Sequence, residues 1–336
     1  SHVIPNMGTP SAPHLPVVAA IREEIDIPLF HAGRIADVAT ARHAVRTGLV
    51  DMVGMTRAHM ADPYIVAKIE RGDEDQIRPC VGMGYCIDRI YVGREALCIH
   101  NPATGREETM PHHISKTDGA PRRVVVVGAG PAGLEAARVC AERGHRVVLF
   151  EAAGKPGGQI RLAARAPRRQ DIIGIVDWLY AQTRRLGVDI RLNHYVEAAE
   201  VLAAEPEVVI VATGGLPNAG FLSTGADLIV TSWDILSGAV KPAATVLLFD
   251  DHGNHEGYSC AEVIAESGSK LELVTPDRAL AQEIGGTSYP AYLKIFYNRG
   301  VTLTLNHRLT AVQKRGDKQA AMLFNEYNKT TVERAV

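Results

Sequence analysis

Residues 122–151, RRVVVVGAGPAGLEAARVCAERGHRVVLFE, place an apolar strand run, a glycine turn, an amphipathic helix pattern and a second apolar strand in unbroken order. Gly128, Gly130 and Gly133 stand at the G-x-G-x-x-G spacing, Pro131 and Ala132 fill the turn, and Glu151 ends the next strand about 20 residues on. Each glycine has its own physical duty. Gly128 permits the tight turn, Gly130 lets a pyrophosphate approach the backbone, and Gly133 lets the helix pack closely on the strand, while the helix amino end supplies a partial positive charge. Glu151 is placed to accept hydrogen bonds from an adenosine ribose. The stretch predicts a nucleotide-binding βαβ unit, and with it the α/β class.

Downstream, GKPGGQI (154–160), with Gly158 and Gln159, follows the acid, and EVVIVATGG (207–215), with Thr213 and Gly214, returns as a strand ending in a glycine turn. Their order resembles the flavoprotein disulfide reductases, in which the chain leaves an FAD domain after the second motif, enters an inserted NAD(P)-binding domain and then returns. Between them, the arginines of RAPRRQDIIGIVDWLYAQTRRLGVDIRLN (165–193) are read as a solvated face. The insertion should bring a second nucleotide turn, and ATVLLFDDHGNHEGYSCAEVIAESGSKLELVTP (244–276) has the strand, helix and strand for it. Its turn, Asp250 to Gly257, lacks the glycine spacing and puts carboxylates where a pyrophosphate would sit. The order H-G-N-H-E is not the H-E-x-x-H of zinc peptidases, and a loop gives no helical face to align ligands, so the segment is expected to be a polar turn with little affinity for NAD(P)H.

Upstream, three of the five cysteines, Cys80, Cys86 and Cys98, fall within RPCVGMGYCIDRIYVGREALCIHNP (78–102). Thiolates clustered just before a nucleotide domain suggest iron that passes single electrons between centres that otherwise trade them in pairs. The competing explanation is three half-buried small hydrophobes in a loop. Cys140 and Cys260 lie on predicted helices and are expected in the core. Before the cysteines, PVVAAIREEI (16–25), IPLFHAG (27–33), DVATARHAVRTG (37–48) and VDMVGMT (50–56) alternate helix and strand patterns, and ADPYIVAKIERG (61–72) is another amphipathic helix. The strands end in the loops HAGR and VGMTR, where α/β enzymes place ligands.

The chain's 336 residues, with 46% hydrophobic and 22% charged residues, are enough for about two domains. A net charge of -2 gives no electrostatic footprint for nucleic acid or an anionic membrane. Apolar runs such as VVVVGAG are strand-length, far below the roughly 20 residues of a membrane helix. With no secretory signal pattern and an odd cysteine count, a cytoplasmic, reducing compartment is expected.

Taken in order, HAGR, VGMTRAHMADP, RPCVGMGYC with DRIYVG and CIHNP, GAGPAGLEAA, PGGQ and VATGG resemble the trimethylamine dehydrogenase and 2,4-dienoyl-CoA reductase family over nearly the whole chain, with the N-demethylase branch acting on methylated glycine or proline derivatives nearest. The resemblance implies residues 1–78 as the end of an FMN-binding (β/α)8 barrel and 79–119 as an iron–sulfur segment and connector. It further implies 120–222 as a Rossmann-like FAD or ADP domain and 223–336 as an inserted, degenerate NAD(P)-like domain. It implies FMN phosphate at Ala32, Gly33 and Arg34 and at Gly54, Met55, Thr56 and Arg57, with Arg57 the better charge partner. Arg34 has a structural ion pair as its alternative, and His31 and His59 are taken as structural. The resemblance also implies a [4Fe-4S] cluster on Cys80, Cys86 and Cys98, with Met83 standing where a fourth cysteine would be; thioether is a poor iron ligand, which leaves another ligand, a three-iron form or no cluster as the alternatives. The activity implied is that of an amine dehydrogenase or N-demethylase passing electrons from FMN through the cluster to an acceptor such as an electron-transferring flavoprotein, in a homo-oligomer. The alternatives are an NAD(P)H-dependent dienoyl-CoA or enoate reductase and a non-catalytic nucleotide-binding scaffold. A full barrel needs on the order of 200 residues or more. The substrate pocket and catalytic residues are therefore expected upstream of Ser1, and the chain is expected to be a piece that is inactive alone, shortened also at its carboxyl end.

Overall fold

Val124, Val125 and Val126 are β-branched and almost wholly buried, as the central strand of a sheet covered on both faces requires. The computed structural model describes residues 4–336 and divides into two compact units, one within Ser1–Ala164 and Arg168–Gly214, the other within Arg165–Pro167 and Gly215–Val336. The division after Gly214 comes earlier than the sequence boundary after residue 222, and residues ahead of 120 cluster with the nucleotide domain.

The first unit begins with α1 (Leu15–Arg22), β1 (Phe30–Ala32), α2 (Val38–Arg46), β2 (Met52–Gly54), α3 (Thr56–Ala61) and α4 (Ile65–Arg71). Helix α2 starts where Asp37 accepts the Thr40 N–H at 2.7 Å, satisfying one amide that lacks an intrahelical partner. Strands β1 and β2 pair in parallel with Ala32 opposite Gly54. The expected helices and strands are all present here. The six-residue α3 was hidden from the sequence pattern because it is too short to show a 3.6-residue period. In the cysteine segment α5 (Tyr85–Tyr91) follows Gly84 and carries Cys86.

The nucleotide domain follows as β3 (Arg123–Val127), α6 (Pro131–Glu142), β4 (Arg146–Phe150), α7 (Ile160–Ala163), α8 (Ile173–Arg185), β5 (Asp189–Arg191), α9 (Ala198–Ala203) and β6 (Val208–Val211). The strands form an all-parallel sheet in the order β5-β4-β3-β6. Leu134 and Ala137 of α6 and Ile175, Val176 and Leu179 of α8 share one core with Val124 and Val126. Val81 and Met83 of the cysteine segment join that same core, which ties the segment to the domain by apolar burial.

The second unit holds α10 (Ser232–Ser237), β7 (Thr245–Phe249), α11 (His255–Glu266), β8 (Lys270–Val274), α12 (Tyr289–Asn298) and β9 (Thr302–Thr304), then β10 (His307–Arg315), β11 (Lys318–Asn325) and β12 (Thr331–Ala335). Strands β7, β8 and β9 are parallel, a second βαβ layer, and the last three strands form an antiparallel meander. Thr231 and Asp234 make a reciprocal cap at the start of α10. Among the described residues no helix is long and apolar enough to cross a membrane.

Candidate functional site

A Cβ on Gly128 would lie 2.4 Å from the Ala212 carbonyl oxygen, so the glycine turn after β3 is pressed directly against the end of β6. Thr213 and Gly214 follow in that end. The PGGQ loop closes on the same turn: Gly157 N–H donates to the Ala129 carbonyl at 2.7 Å, and a Cβ on Gly158 would meet Gly130 Cα at 3.4 Å. Gln159 Nε2 in turn lies 3.5 Å from where Gly214 would carry a Cβ. Three motifs far apart in sequence thus meet at one place. A Cβ on Gly130 would have nothing within 4 Å, which leaves the open backbone approach that a pyrophosphate needs, with Pro131 and Ala132 opening α6 behind it. The residues therefore fit a dinucleotide. Glu151 accepts Ala129 N–H at 2.7 Å and Ala153 N–H at 2.8 Å, so its carboxylate also braces the turn. An ionised carboxylate has lone pairs beyond these two bonds for a ribose hydroxyl.

All three clustered cysteines are free thiols and partly buried. Burial pushes the Cys86 thiol above its ordinary range, and the neighbouring Cys80 and Cys98 sulfurs add to the rise, so the three lie within electrostatic reach of one another. Burial raises Cys98 as well, opposed by backbone N–H groups, of which His100 N–H donates to Cys98 Sγ at 3.4 Å. Among the described residues no three His, Cys, Asp or Glu side chains come together tightly enough for a single metal ion. Each of Cys86 and Cys98 nevertheless feels the charge of other thiols in the segment, which is the neighbourhood a multi-iron core would require. A second feature fits an anionic sulfur core: the Arg34 side chain is only 8% exposed, and its Nε and Nη1 have no partner among the described residues. It lies against Gly82, between Cys80 and Cys86, where a Cβ would fall 2.0 Å from Nη1. Met83 is 6% exposed and packs into the core, so the odd residue of the motif is a packing group.

The pairing of β1 with β2 brings Ala32, Gly33 and Arg34 beside Gly54, Met55, Thr56 and Arg57 at the same strand ends. A Cβ on Gly54 would meet the Ala32 side chain at 2.8 Å. The Arg34 guanidinium is turned toward the cysteine segment. Arg34 pairs with Asp171 at 2.5 Å, the structural ion pair held open above, while Arg57 donates to the Pro5 carbonyl at 2.8 Å and its charge is felt at Cys86. His31 is held below its ordinary range by burial and by His14, and His59 is exposed on α3.

Sequence reasoning missed a buried network beside the thiols. Arg78 stacks its guanidinium 4.3 Å from the Trp178 ring centre and donates to the His100 carbonyl at 3.1 Å. The Arg78 N–H donates to buried Asp62 at 2.8 Å, and Trp178 Nε1 donates to the Gln76 carbonyl at 2.9 Å. The signal available was an arginine directly before Pro79 and Cys80 in an otherwise apolar, glycine-rich run.

In the second unit, Asp250 folds back under its own turn and accepts Gly253 N–H at 3.0 Å, occupying a backbone donor that a phosphate would use. Gly257 lies against the Asp250 carboxylate, 2.5 Å from Oδ1 to the position of a Cβ. His255 and Glu256 belong to the first turn of α11, not to a loop as the sequence reading had them. Beside this turn a cavity of about 320 Å³ is lined by Phe221, Phe249, Ile264, Asp250, Asp251 and His252.

A family model for an NAD(P)-binding Rossmann-like domain matches residues 126–176. The chain is 52% identical over 97% of its length to a probable N-methylproline demethylase of Rhizobium meliloti, covering 48% of that protein. It is 46% identical over its full length to an N,N-dimethylglycine/sarcosine dehydrogenase of Chromohalobacter salexigens, covering 50% of it. Among solved structures, histamine dehydrogenase from Rhizobium sp. 4-9 superposes with a TM-score of 0.86 at 27% identity, over 97% of this chain and 49% of that one. The chain spans about half the length of the curated relatives it matches. Over nearly its whole length it corresponds to one half of the enzymes of the N-methylproline demethylase, dimethylglycine dehydrogenase and trimethylamine dehydrogenase family.

Proposed function

We propose that the protein carrying this chain is a flavin- and iron–sulfur-dependent oxidoreductase that oxidises small N-methylated amines. FMN when bound would accept the substrate hydride, and a [4Fe-4S] core would relay single electrons to an external acceptor such as an electron-transferring flavoprotein. Cys80, Cys86 and Cys98 would hold the iron. The strand-end residues Ala32–Arg34 and Gly54–Arg57 would orient the flavin phosphate, and the turn at Gly128–Gly133 with Gly158, Gln159, Thr213 and Gly214 would bind FAD or ADP. The observation that carries the reading is that three free thiols in electrostatic reach of one another stand in the same unit as the three converging nucleotide motifs. The N-methylproline demethylase and N,N-dimethylglycine/sarcosine dehydrogenase to which the chain is similar suggest the substrate class, a methylated glycine or proline derivative.

The reverse reading, an NAD(P)H-dependent enoate or dienoyl-CoA reductase, needs a working second nucleotide turn, and Asp250 stands against it. The test is the visible spectrum of the purified protein under anaerobic conditions. N,N-dimethylglycine, sarcosine or N-methylproline is expected to bleach the flavin bands, while NADPH is not. Bleaching by NADPH alone would replace this reading with the reductase. Absence of flavin, iron and acid-labile sulfide together would replace it with the non-catalytic scaffold.

A further inference from the structure

Arg78 is a buried cation with an unusual set of neighbours. It is 8% exposed, and its guanidinium lies over the indole of Trp178 on α8. Nη1 donates to the carbonyl of His100, whose own N–H donates to Cys98 Sγ. The backbone N–H of Arg78 is fixed by Asp62, which also takes Lys68 Nζ at 2.5 Å and Tyr64 N–H at 3.0 Å. Arg78 therefore spans from the Cys98 loop to α8, with both ends anchored.

Its charge is poorly neutralised. Its ion-pair partner Glu135 on α6 is 3.7 Å away and is already held by Arg138 through two bonds of 2.8 and 2.7 Å. Arg138 sits over the same indole at 5.7 Å and pairs also with Glu142. Asp62 is matched by Lys68. Deleting Arg78 leaves those pairs intact and removes one positive charge from a buried site beside Cys98. In a low-dielectric surrounding such a charge favours the more negative state of whatever lies next to it.

We propose that Arg78 is a positioning residue for the cysteine segment, clamping the Cys98 loop to Trp178 and raising the reduction potential of the iron–sulfur centre by its fixed charge. The inference rests on the reading that these thiols hold iron, and it adds a residue outside the ligand set. The guanidinium suits both tasks because its plane stacks on an aromatic face while its edge donates, which an ammonium group cannot match.

The experiment compares wild type, Arg78→Met and Arg78→Lys in the purified protein by iron and sulfide content and by a redox titration monitored through the paramagnetic resonance of the reduced cluster. Arg78→Met is expected to keep its iron and to shift the one-electron equilibrium about tenfold toward the oxidised form, a midpoint about 59 mV lower. Arg78→Lys, which keeps the charge, is expected to stay near the wild-type midpoint with a broadened resonance. An iron-loaded Arg78→Met protein with an unchanged midpoint would overturn the proposal. If Arg78→Met is recovered without iron, Arg78→Lys decides: an iron-loaded lysine variant at the wild-type midpoint supports the charge effect, and loss of iron in both assigns Arg78 to folding alone. Wild type without iron would fail the reading under Proposed function first, a result distinct from any of these.

Discussion

A Cβ on Gly133 would lie 1.8 Å from the carbonyl oxygen of Gly128, closer than any real contact, so the first turn of α6 rests directly on the turn that precedes it. Gly133→Ala must therefore part helix from strand. The expected cost is about 1–3 kcal/mol, as for overpacking a tight core, together with loss of bound adenine nucleotide. Gly130 is the matched contrast, because its Cβ would meet nothing within 4 Å. Gly130→Ala should melt near the temperature of wild type stripped of nucleotide, yet fail to retain the nucleotide. Thermal melting with chromatography of the nucleotide freed by denaturation checks both, and equal destabilisation of the two variants would contradict the geometry.

Met83 invites repair of the cysteine motif, but its side chain packs with Val81 and Met7 in the apolar core. Met83→Cys is expected to leave the iron content per chain unchanged and to cost roughly 1–3 kcal/mol by shortening a buried side chain. Iron and sulfide analysis beside urea unfolding tests this. A rise in iron content would mean that position 83 can turn toward the thiols.

Cys260 lies in α11, 1% exposed, and burial pushes its thiol up to about 12. Alkylation by iodoacetamide near neutral pH requires a thiolate, so Cys260 should remain unmodified in the native protein and react only after unfolding. Peptide mass mapping before and after denaturation gives the answer. Native labelling at a rate comparable with that of a free thiol would refute the buried placement.

The nucleotide turn was legible because its requirements are local: strand, glycine spacing and acid follow within 30 residues and each has one steric reason. The convergence of Gly158, Gln159, Thr213 and Gly214 on that turn came through the resemblance, since residues so distant in sequence carry no spacing signal of their own. The network of Arg78, Trp178 and His100 was illegible for the same reason, as its partners lie on different elements. The C-terminal meander went unassigned, although Gly316 and Asp317 mark a hairpin turn between β10 and β11. A register shift between Leu309 and Ala311 breaks the two-residue alternation that would have announced β10. Asp250 shows the opposite failure. Its carboxylate was rightly placed in the turn by sequence, but its use as an internal acceptor for the turn's own amide depends on backbone geometry.

That internal use of Asp250 makes a prediction about pH. Burial raises its pKa from 3.8 to about 6, against the opposing pull of the Gly253 N–H. A carboxyl group whose folded value is raised binds its proton more tightly in the native state than in the unfolded chain. The stability this contributes is complete below about pH 4 and is lost as the pH rises through 6. A displacement of this size corresponds to at most about 3 kcal/mol. Asp250→Asn keeps an acceptor for Gly253 and carries no charge at any pH. The variant should therefore match the wild type below pH 4 and exceed it above pH 6, by an amount that grows across that window. Urea unfolding at pH 4, 5, 6 and 7, followed by tryptophan fluorescence with Trp233 reporting on the second unit, measures the difference. A difference that stays constant across these pH values would show that the Asp250 carboxyl is not destabilised by its burial, and that the turn holds it by other means.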